Sequence, residues 1–257
     1  MSEPKRAAPR VALFVTCLVD AMRPRVGFAA LALLEAAGCR VEIPRGQTCC
    51  GQPALHAGDR DGGAALAKRT IALFEPYDAV VIPSGSCAKT VCVEYPEMFP
   101  AGSEWRARAE ALAAKTFELL TYLADVRRWR PEGVALRGKA TYHDSCAGLR
   151  ELGVKRQPRA LLAGVAGLEV VEMEGAETCC GFGGTFAVEY AAISNAIVTE
   201  KTASIDATGA ELLLGGDLGC LMNMAGRLHR EGSRVRAFHV AEVLAGMGEG
   251  PAIGEEE

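Results

Sequence analysis

Ten cysteines in 257 residues are the side chains of this sequence best able to do chemistry. Eight fall into two matching sets: Cys17, Cys49, Cys50 and Cys87, then Cys146, Cys179, Cys180 and Cys220. Corresponding members lie 129, 130, 130 and 133 residues apart. Each adjacent pair is followed by a glycine, Gly51 or Gly181. A shuffled chain of this composition would hold about 0.04 Cys-Cys-Gly tripeptides. Two at matched positions therefore mark an internal duplication.

Four thiolates gathered in one pocket suit either zinc or an iron–sulfur cluster. Structural zinc is usually held by short Cys-x2–4-Cys knuckles. Here the gaps are 31 and 36 intervening residues in the first set and 32 and 39 in the second. Adjacent ligands such as Cys49 and Cys50 suit several iron atoms better than one tetrahedral ion, provided that the chain turns sharply. Gly51 and Gly181 can supply the positive φ for that turn. The plainer readings are two buried small side chains, or a thiol–disulfide pair, at each Cys-Cys.

The elements needed to bring these thiols together are visible in the pattern. Val11–Thr16 reads as a buried strand ending at Cys17, and Pro24–Ala37 as a helix stopped by Gly38. A strand over Arg40–Ile43 leads to the first Cys-Cys-Gly. A helix over Gly63–Phe74 and a strand over Ala79–Ile82 follow, and the strand ends at Cys87. The second half repeats this with a strand over Lys139–His143, a helix over Lys155–Leu162 and a strand over Leu168–Met173. A helix over Thr185–Ala207, a strand over Glu211–Leu214 and a strand-to-helix corner over Phe238–Leu244 complete it. Between the halves, Trp105, Ala109, Leu112, Thr116, Leu119 and Leu123 form one stripe at helical spacing and predict a single helix over Glu104–Asp125.

Alternating strands and helices imply an α/β fold of two pseudo-symmetric Rossmann-like repeats with parallel sheets. The expected boundaries are 10–126 and 137–246, with a linker at 127–136 and a flexible tail at 247–257. Ligands of such sheets collect beyond the carboxyl ends of the strands, and every repeated cysteine element follows a strand.

Composition narrows the function. Apolar residues at 49% and charged residues at 23% describe an ordinary globular chain. A net charge of −4 argues against a general nucleic-acid binder. The polar, basic stretch Met1–Arg10 is not a secretory signal, and Val26–Gly38 is too short and too interrupted to span a bilayer. The expected compartment is cytoplasmic, where many thiols read as metal ligands or redox groups rather than disulfides.

A Cys, then Cys-Cys-Gly about thirty residues later, then a further Cys, present twice, resembles the cysteine-rich CCG-domain proteins. These include the CCG-containing component of heterodisulfide reductase, the iron–sulfur component of glycolate oxidase, and lactate utilization protein A. The chain most resembles the last of these families. The segments that carry the likeness are Phe14–Asp20, Cys49–Ala54, Pro83–Cys87, Cys179–Phe186, Gly219–Asn223 and His239–Leu244, and the resemblance covers about residues 10–245. It implies an iron–sulfur subunit in the oxidation of L-lactate to pyruvate, acting in electron transfer with the companion lactate utilization proteins B and C. It also implies one cluster site per half: Cys17, Cys49, Cys50 and Cys87, then Cys146, Cys179, Cys180 and Cys220. One or two [4Fe-4S] clusters fit the thiol count, with zinc as an alternative occupant of one site.

The wider CCG pattern ends in Cys-x-x-Cys, whereas here the fifth positions are Thr90 and Asn223. That loss counts against the rival reading as a thiol–disulfide enzyme like heterodisulfide reductase. A second rival is a non-enzymatic zinc scaffold or assembly protein. No flavin or nicotinamide motif occurs, so the chain alone is not expected to be a complete dehydrogenase.

Other residues are weaker candidates. Cys92 lies about 200° around a helix from Thr90 and reads as a packing residue. Cys39 reads the same way. His143 and Asp144 precede Cys146, where the histidine could donate to a cluster sulfur or relay a proton. His56 follows the first Cys-Cys-Gly with a similar case. His239 is expected to pack or cap. Arg23 and Lys89 are candidates for positive charge beside the first site, with surface roles as the plainer reading. Gly181–Gly184 looks like a phosphate loop but lacks the full pattern.

Overall fold

A computed structural model describes residues 8–255. The first seven residues of the polar N-terminal stretch, and the last two of the expected tail, lie outside the described residues. Eight strands form two four-stranded sheets, parallel throughout. The first contains β1 (Arg10–Leu13), β2 (Arg40–Glu42), β3 (Ala79–Ile82) and β4 (Thr116–Glu118) in the order β2-β1-β3-β4. The second contains β5 (Ala135–His143), β6 (Ala166–Val171), β7 (Leu212–Gly215) and β8 (Arg236–His239) in the order β6-β5-β7-β8. The two orders are the same, as duplication requires.

Strand periodicity divides the core. Alternate residues Val11, Leu13, Ala79 and Val81 face a cluster shared with Ala140, Tyr142, Leu212 and Leu214 of the second sheet. Their neighbours Ala12, Phe14, Val80 and Ile82 face an outer cluster belonging to the first half. Leu213 faces the outer cluster of the second half. Successive side chains point to opposite faces, so strands buried on both faces read as unbroken apolar runs.

The stretch Glu104–Asp125 is not one helix. A helix occupies Glu104–Ala113, and β4 follows it. The helical stripe was real in its burial, since Ala109, Leu112, Thr116, Leu119 and Leu123 are all buried. The chain nevertheless leaves the helix because β3 has a free edge. The Val80 N–H donates to the Lys115 carbonyl at 2.8 Å, and Val80, Val81 and Ile82 register with Thr116, Phe117 and Glu118. Lys115 Nζ fastens the turn by donating to the carbonyls of Glu75 (2.6 Å) and Tyr77 (2.7 Å).

Three further differences are local. Strand β5 begins at Ala135, inside the expected linker, and its register shifts before Gly138. The expected helix Thr185–Ala207 is interrupted at Tyr190, giving Phe186–Glu189 and Ala191–Ala207. Residues 247–255, read as a flexible tail, pack back on the body: Ala252 is buried, the Ile253 N–H donates to the Ala237 carbonyl at 2.9 Å, and Arg236 pairs with Glu255 at 2.9 Å. Among the described residues, no helix is long and apolar enough to cross a membrane.

Candidate metal centres

The outer cysteines of each set sit at equivalent places. Cys17 and Cys146 open the short helices Cys17–Met22 and Cys146–Leu152, just beyond β1 and β5. Cys87 and Cys220 are the third residues of the helices Gly85–Lys89 and Leu218–Arg230, just beyond β3 and β7. The Cys-Cys pairs enter on loops that turn at Gly51 (φ 88°) and Gly181 (φ 82°). Positive φ at both glycines is what the sequence required of them.

The thiols converge in two like chains of contact. Cys49 lies close enough to Cys17 and Cys50 for both thiols to lower its pKa, and Cys50 lies close enough to Cys87 for its own pKa to be raised. Cys179 is lowered in the same way by Cys146 and Cys180, and Cys180 is raised by Cys179 and Cys220. Each set thus lies at one strand-end face, and among the described residues the group of three ligand atoms lying within 4.8 Å of one another is His143, Cys180 and Cys220. None is in a disulfide. Cys50, Cys180 and Cys220 are buried, and Cys17 is exposed.

Ionisation is divided unequally within each set. The hydrogen bonds from Cys17 and Cys50 hold the Cys49 thiol well below its ordinary pKa, with help from the Gly51 N–H. The bonds from Cys146 and Cys180 do the same for Cys179, which also accepts the Gly181 N–H at 3.3 Å. The donors shift the opposite way: Cys17 and Cys146 are pushed up by those same bonds and by burial. Four neighbouring thiols cannot all become thiolates unless cationic charge sits among them. An all-sulfur donor set of this kind fits iron–sulfur clusters or zinc.

Matching polar groups brace the two Cys-Cys carbonyls. Tyr95 Oη donates to the Cys50 carbonyl at 2.7 Å, and Asn223 Nδ2 to the Cys180 carbonyl at 2.9 Å. Asn223 stands at a fifth-cysteine position, so that position is structural here. The other, Thr90, donates to Glu94 Oε2 at 2.7 Å.

The remaining candidates separate cleanly. Cys92 donates to the Thr116 carbonyl at 3.5 Å, and Cys39 lies 4.0 Å from Tyr122 Oη; neither joins a thiol set. Asp144 is buried against Arg159 in a two-pronged ion pair of 2.7 and 2.9 Å. His239 caps the helix Val240–Leu244, its Nδ1 accepting the Ala241 N–H at 3.2 Å. His56 pairs with Glu94 at 3.0 Å, and Lys89 contacts the same carboxylate. Arg23 is neither at the first site nor on the surface: its side chain is 6% exposed and pairs with Glu242 at 2.8 Å. Gly181–Gly184 folds around Phe182, whose ring lies against Gly219.

His143 is different. It is 1% exposed, and neither ring nitrogen has a hydrogen-bond partner among the described residues. One ring nitrogen and the sulfurs of Cys180 and Cys220 lie within 4.8 Å of one another. Burial, and then the charge of Lys201, lower its pKa to about 3, so the ring is neutral.

Two residues were missed by sequence reasoning. Lys201, 2% exposed, donates from Nζ to the carbonyls of Gly175 (2.6 Å) and Ala176 (3.0 Å) on the loop before Cys179. Asp217, three residues before Cys220, accepts from Ser84 Oγ (3.1 Å) and the Ser86 N–H (2.9 Å), beside Cys87. It ties the loop of one site to the loop of the other. The glycine pair in Gly215-Gly216-Asp217 was the only hint of that turn. A cavity of about 260 Å³ opens at this junction, lined by Cys146, Cys179 and Cys220 from the second half and by His56, Ser86 and Lys89 from the first.

The fold and these residues define a duplicated α/β protein with a matching set of four cysteines in each half. The cysteine-rich domain family CCG matches the chain twice, at residues 11–91 and 140–225. Lactate utilization protein A of Anoxybacillus flavithermus is 49% identical over 234 residues, covering 91% of this chain and 98% of the relative. The protein of that name from Bacillus subtilis is 47% identical over 235 residues, with the same shares. The chain therefore belongs to the lactate utilization protein A family. Among solved structures, a hypothetical protein from Helicobacter pylori superposes with a TM-score of 0.64 at 12% identity. The likeness covers 96% of this chain and 52% of that one, so the chain spans about half of its length. It bears on the fold alone.

Proposed function

We propose that this protein is an iron–sulfur subunit of a multi-protein system that oxidises L-lactate to pyruvate. Each repeat holds one [4Fe-4S] cluster. The ligands are Cys17, Cys49, Cys50 and Cys87 in the first, and Cys146, Cys179, Cys180 and Cys220 in the second. The observation that carries this reading is the convergence of the two thiol sets into equivalent chains of contact. Support for the substrate comes from the name shared by the relatives.

A bound cluster supplies one-electron storage at a buried position. The protein's part is to hold four sulfurs apart from water on one side and near the surface on the other. Cys50 and Cys180 form the buried wall, while Cys17 reaches the exterior. Asp217 and the close packing of Gly85 on Gly148 keep the two site loops adjacent, which favours transfer between them.

The test is elemental analysis of protein purified without oxygen, with EPR before and after reduction. About eight irons and eight sulfides per chain are expected for two four-iron centres. Cys49→Ser and Cys179→Ser should each remove about half the iron. Lactate-dependent dye reduction should require this protein together with B and C. Stoichiometric zinc without iron would establish the scaffold reading instead.

A further inference from the structure

The two thiol sets are copies, but their surroundings are not. The position matching His143 in the first half is Phe14, and the position matching Lys201 is Ile71. Phe14 and Ile71 are buried members of the apolar cluster beside Cys50. The first centre therefore has an apolar wall where the second has an imidazole with two unpartnered nitrogens and a buried ammonium. A buried polar side chain left without partners is costly and needs a reason. A sulfur-bound group carrying negative charge beside Cys180 and Cys220 would supply one, by accepting a hydrogen bond from the ring.

We infer that the two centres form an ordered pair, in which the centre at Cys146–Cys220 holds an added electron more tightly because His143 and Lys201 stabilise negative charge there. This rests on the cluster reading above. Adding an electron to a cluster in a low-dielectric site is favoured by N–H donors to its sulfurs and by nearby positive charge. His143 supplies the donor, and the field of Lys201 reaches Cys179, Cys180 and Cys220. Asp217 acts against them at Cys220, but its donors Ser84 and Ser86 stand beside Cys87, so its charge lies next to both centres rather than the second alone. Asp144 is neutralised by Arg159. Near the first centre, Lys89 is paired with Glu94. Electrons would thus enter at the more exposed first centre and come to rest at the second. His143 and Lys201 are positioning residues in this scheme, not ligands.

The experiment is an EPR-monitored redox titration of the full chain, purified without oxygen, with iron counted in each sample. Cys49→Ser isolates the second centre and Cys179→Ser the first. The second should titrate at the higher midpoint potential. In the Cys49→Ser background, His143→Phe and Lys201→Met should each lower that midpoint while iron content stays constant. In the Cys179→Ser background the same substitutions should change nothing. Equal midpoints for the two isolated centres would overturn the ordering without any further variant. Loss of the remaining iron on His143→Phe would overturn the donor role by making the ring a ligand. Wild-type protein that carries no iron would overturn the cluster reading itself, a result separable from the others.

Discussion

At the residue scale, the eight cysteines were legible because duplication printed them twice, each time with the same glycine. The two glycines differ in what they tolerate. A Cβ on Gly181 would lie 2.7 Å from the Ser194 carbonyl oxygen, whereas one on Gly51 would first meet the Leu66 Cβ at 3.3 Å. Both substitutions force an L-residue to positive φ at a cost of about 1–2 kcal/mol. Gly181→Ala adds a backbone clash that Gly51→Ala does not. Urea unfolding should therefore show the larger loss for Gly181→Ala, and metal analysis should show it confined to the second centre. Lys201 and Asp217 were not legible, because a lysine in a polar helix reads as a solvated face until packing buries it. Glu118 escaped for a related reason, since its strand was read as helix. It is buried, and desolvation raises its pKa to about 7. Its folded pKa stands above the unfolded value of 4.5, so the folded state binds the extra proton between those limits. Stability from this group is then lost as pH rises from about 4.5 to about 7. Glu118→Gln keeps an acceptor for the Thr121 N–H that caps the following turn. Unfolding free energies measured across pH 5–8 should fall less steeply for the variant than for the parent, and parallel curves would rule the effect out.

At the scale of elements, seven of the eight strands could be read from apolar runs between turn signals, and β4 could not. Its two buried residues, Thr116 and Glu118, fall where a helix stripe from Leu112 continues without a break, and the hydrogen bond from Thr116 Oγ1 to the Leu112 carbonyl (2.8 Å) spans both elements. What decides between helix and strand is the unpaired edge of β3, a tertiary fact absent from any local window. The short helices that carry Cys17, Cys87 and Cys146 were missed for lack of length. The last two meet across the molecular junction. A Cβ on Gly85 would lie 2.8 Å from Ser145 Oγ and 3.0 Å from the Gly148 Cα. Gly85→Ala must therefore part the helices Gly85–Lys89 and Cys146–Leu152. The expected cost is about 1–3 kcal/mol, read as a lowered midpoint in chemical unfolding. Gly153→Ala, at a glycine with open space around it but positive φ, provides a control for backbone strain alone.

At the scale of the whole molecule, the sequence divided the chain into halves, but the interactions that fuse them join residues too distant for any pattern to pair. The shared core sets strand residues of the first sheet against those of the second. Beside it, Arg23 of the first half and Glu242 of the second form a buried ion pair, 219 residues apart in sequence. Every strong group there is engaged. Arg23 Nε donates to both Glu242 oxygens (3.1 and 3.0 Å), and its Nη2 donates to the Pro251 carbonyl at 2.7 Å. Glu242 Oε2 also accepts the His239 N–H at 3.1 Å, which closes the capping box of the last helix. Removing Glu242 strands Arg23 in a medium that solvates it poorly, whereas Arg23→Met leaves Glu242 with Arg25, whose Nε lies 3.5 Å from Oε1. Glu242→Ala is expected to cost about 3–5 kcal/mol. Arg23→Met combined with Glu242→Leu should cost less than Glu242→Ala alone, because the charge that remains, Arg25, is partly exposed. The pair is shielded from solvent, so raising salt should leave its coupling energy nearly unchanged, unlike that of an exposed ion pair. A double-mutant cycle at low and high ionic strength measures both effects. Additive single costs, or a coupling that salt abolishes, would show that this ion pair does not help to join the halves.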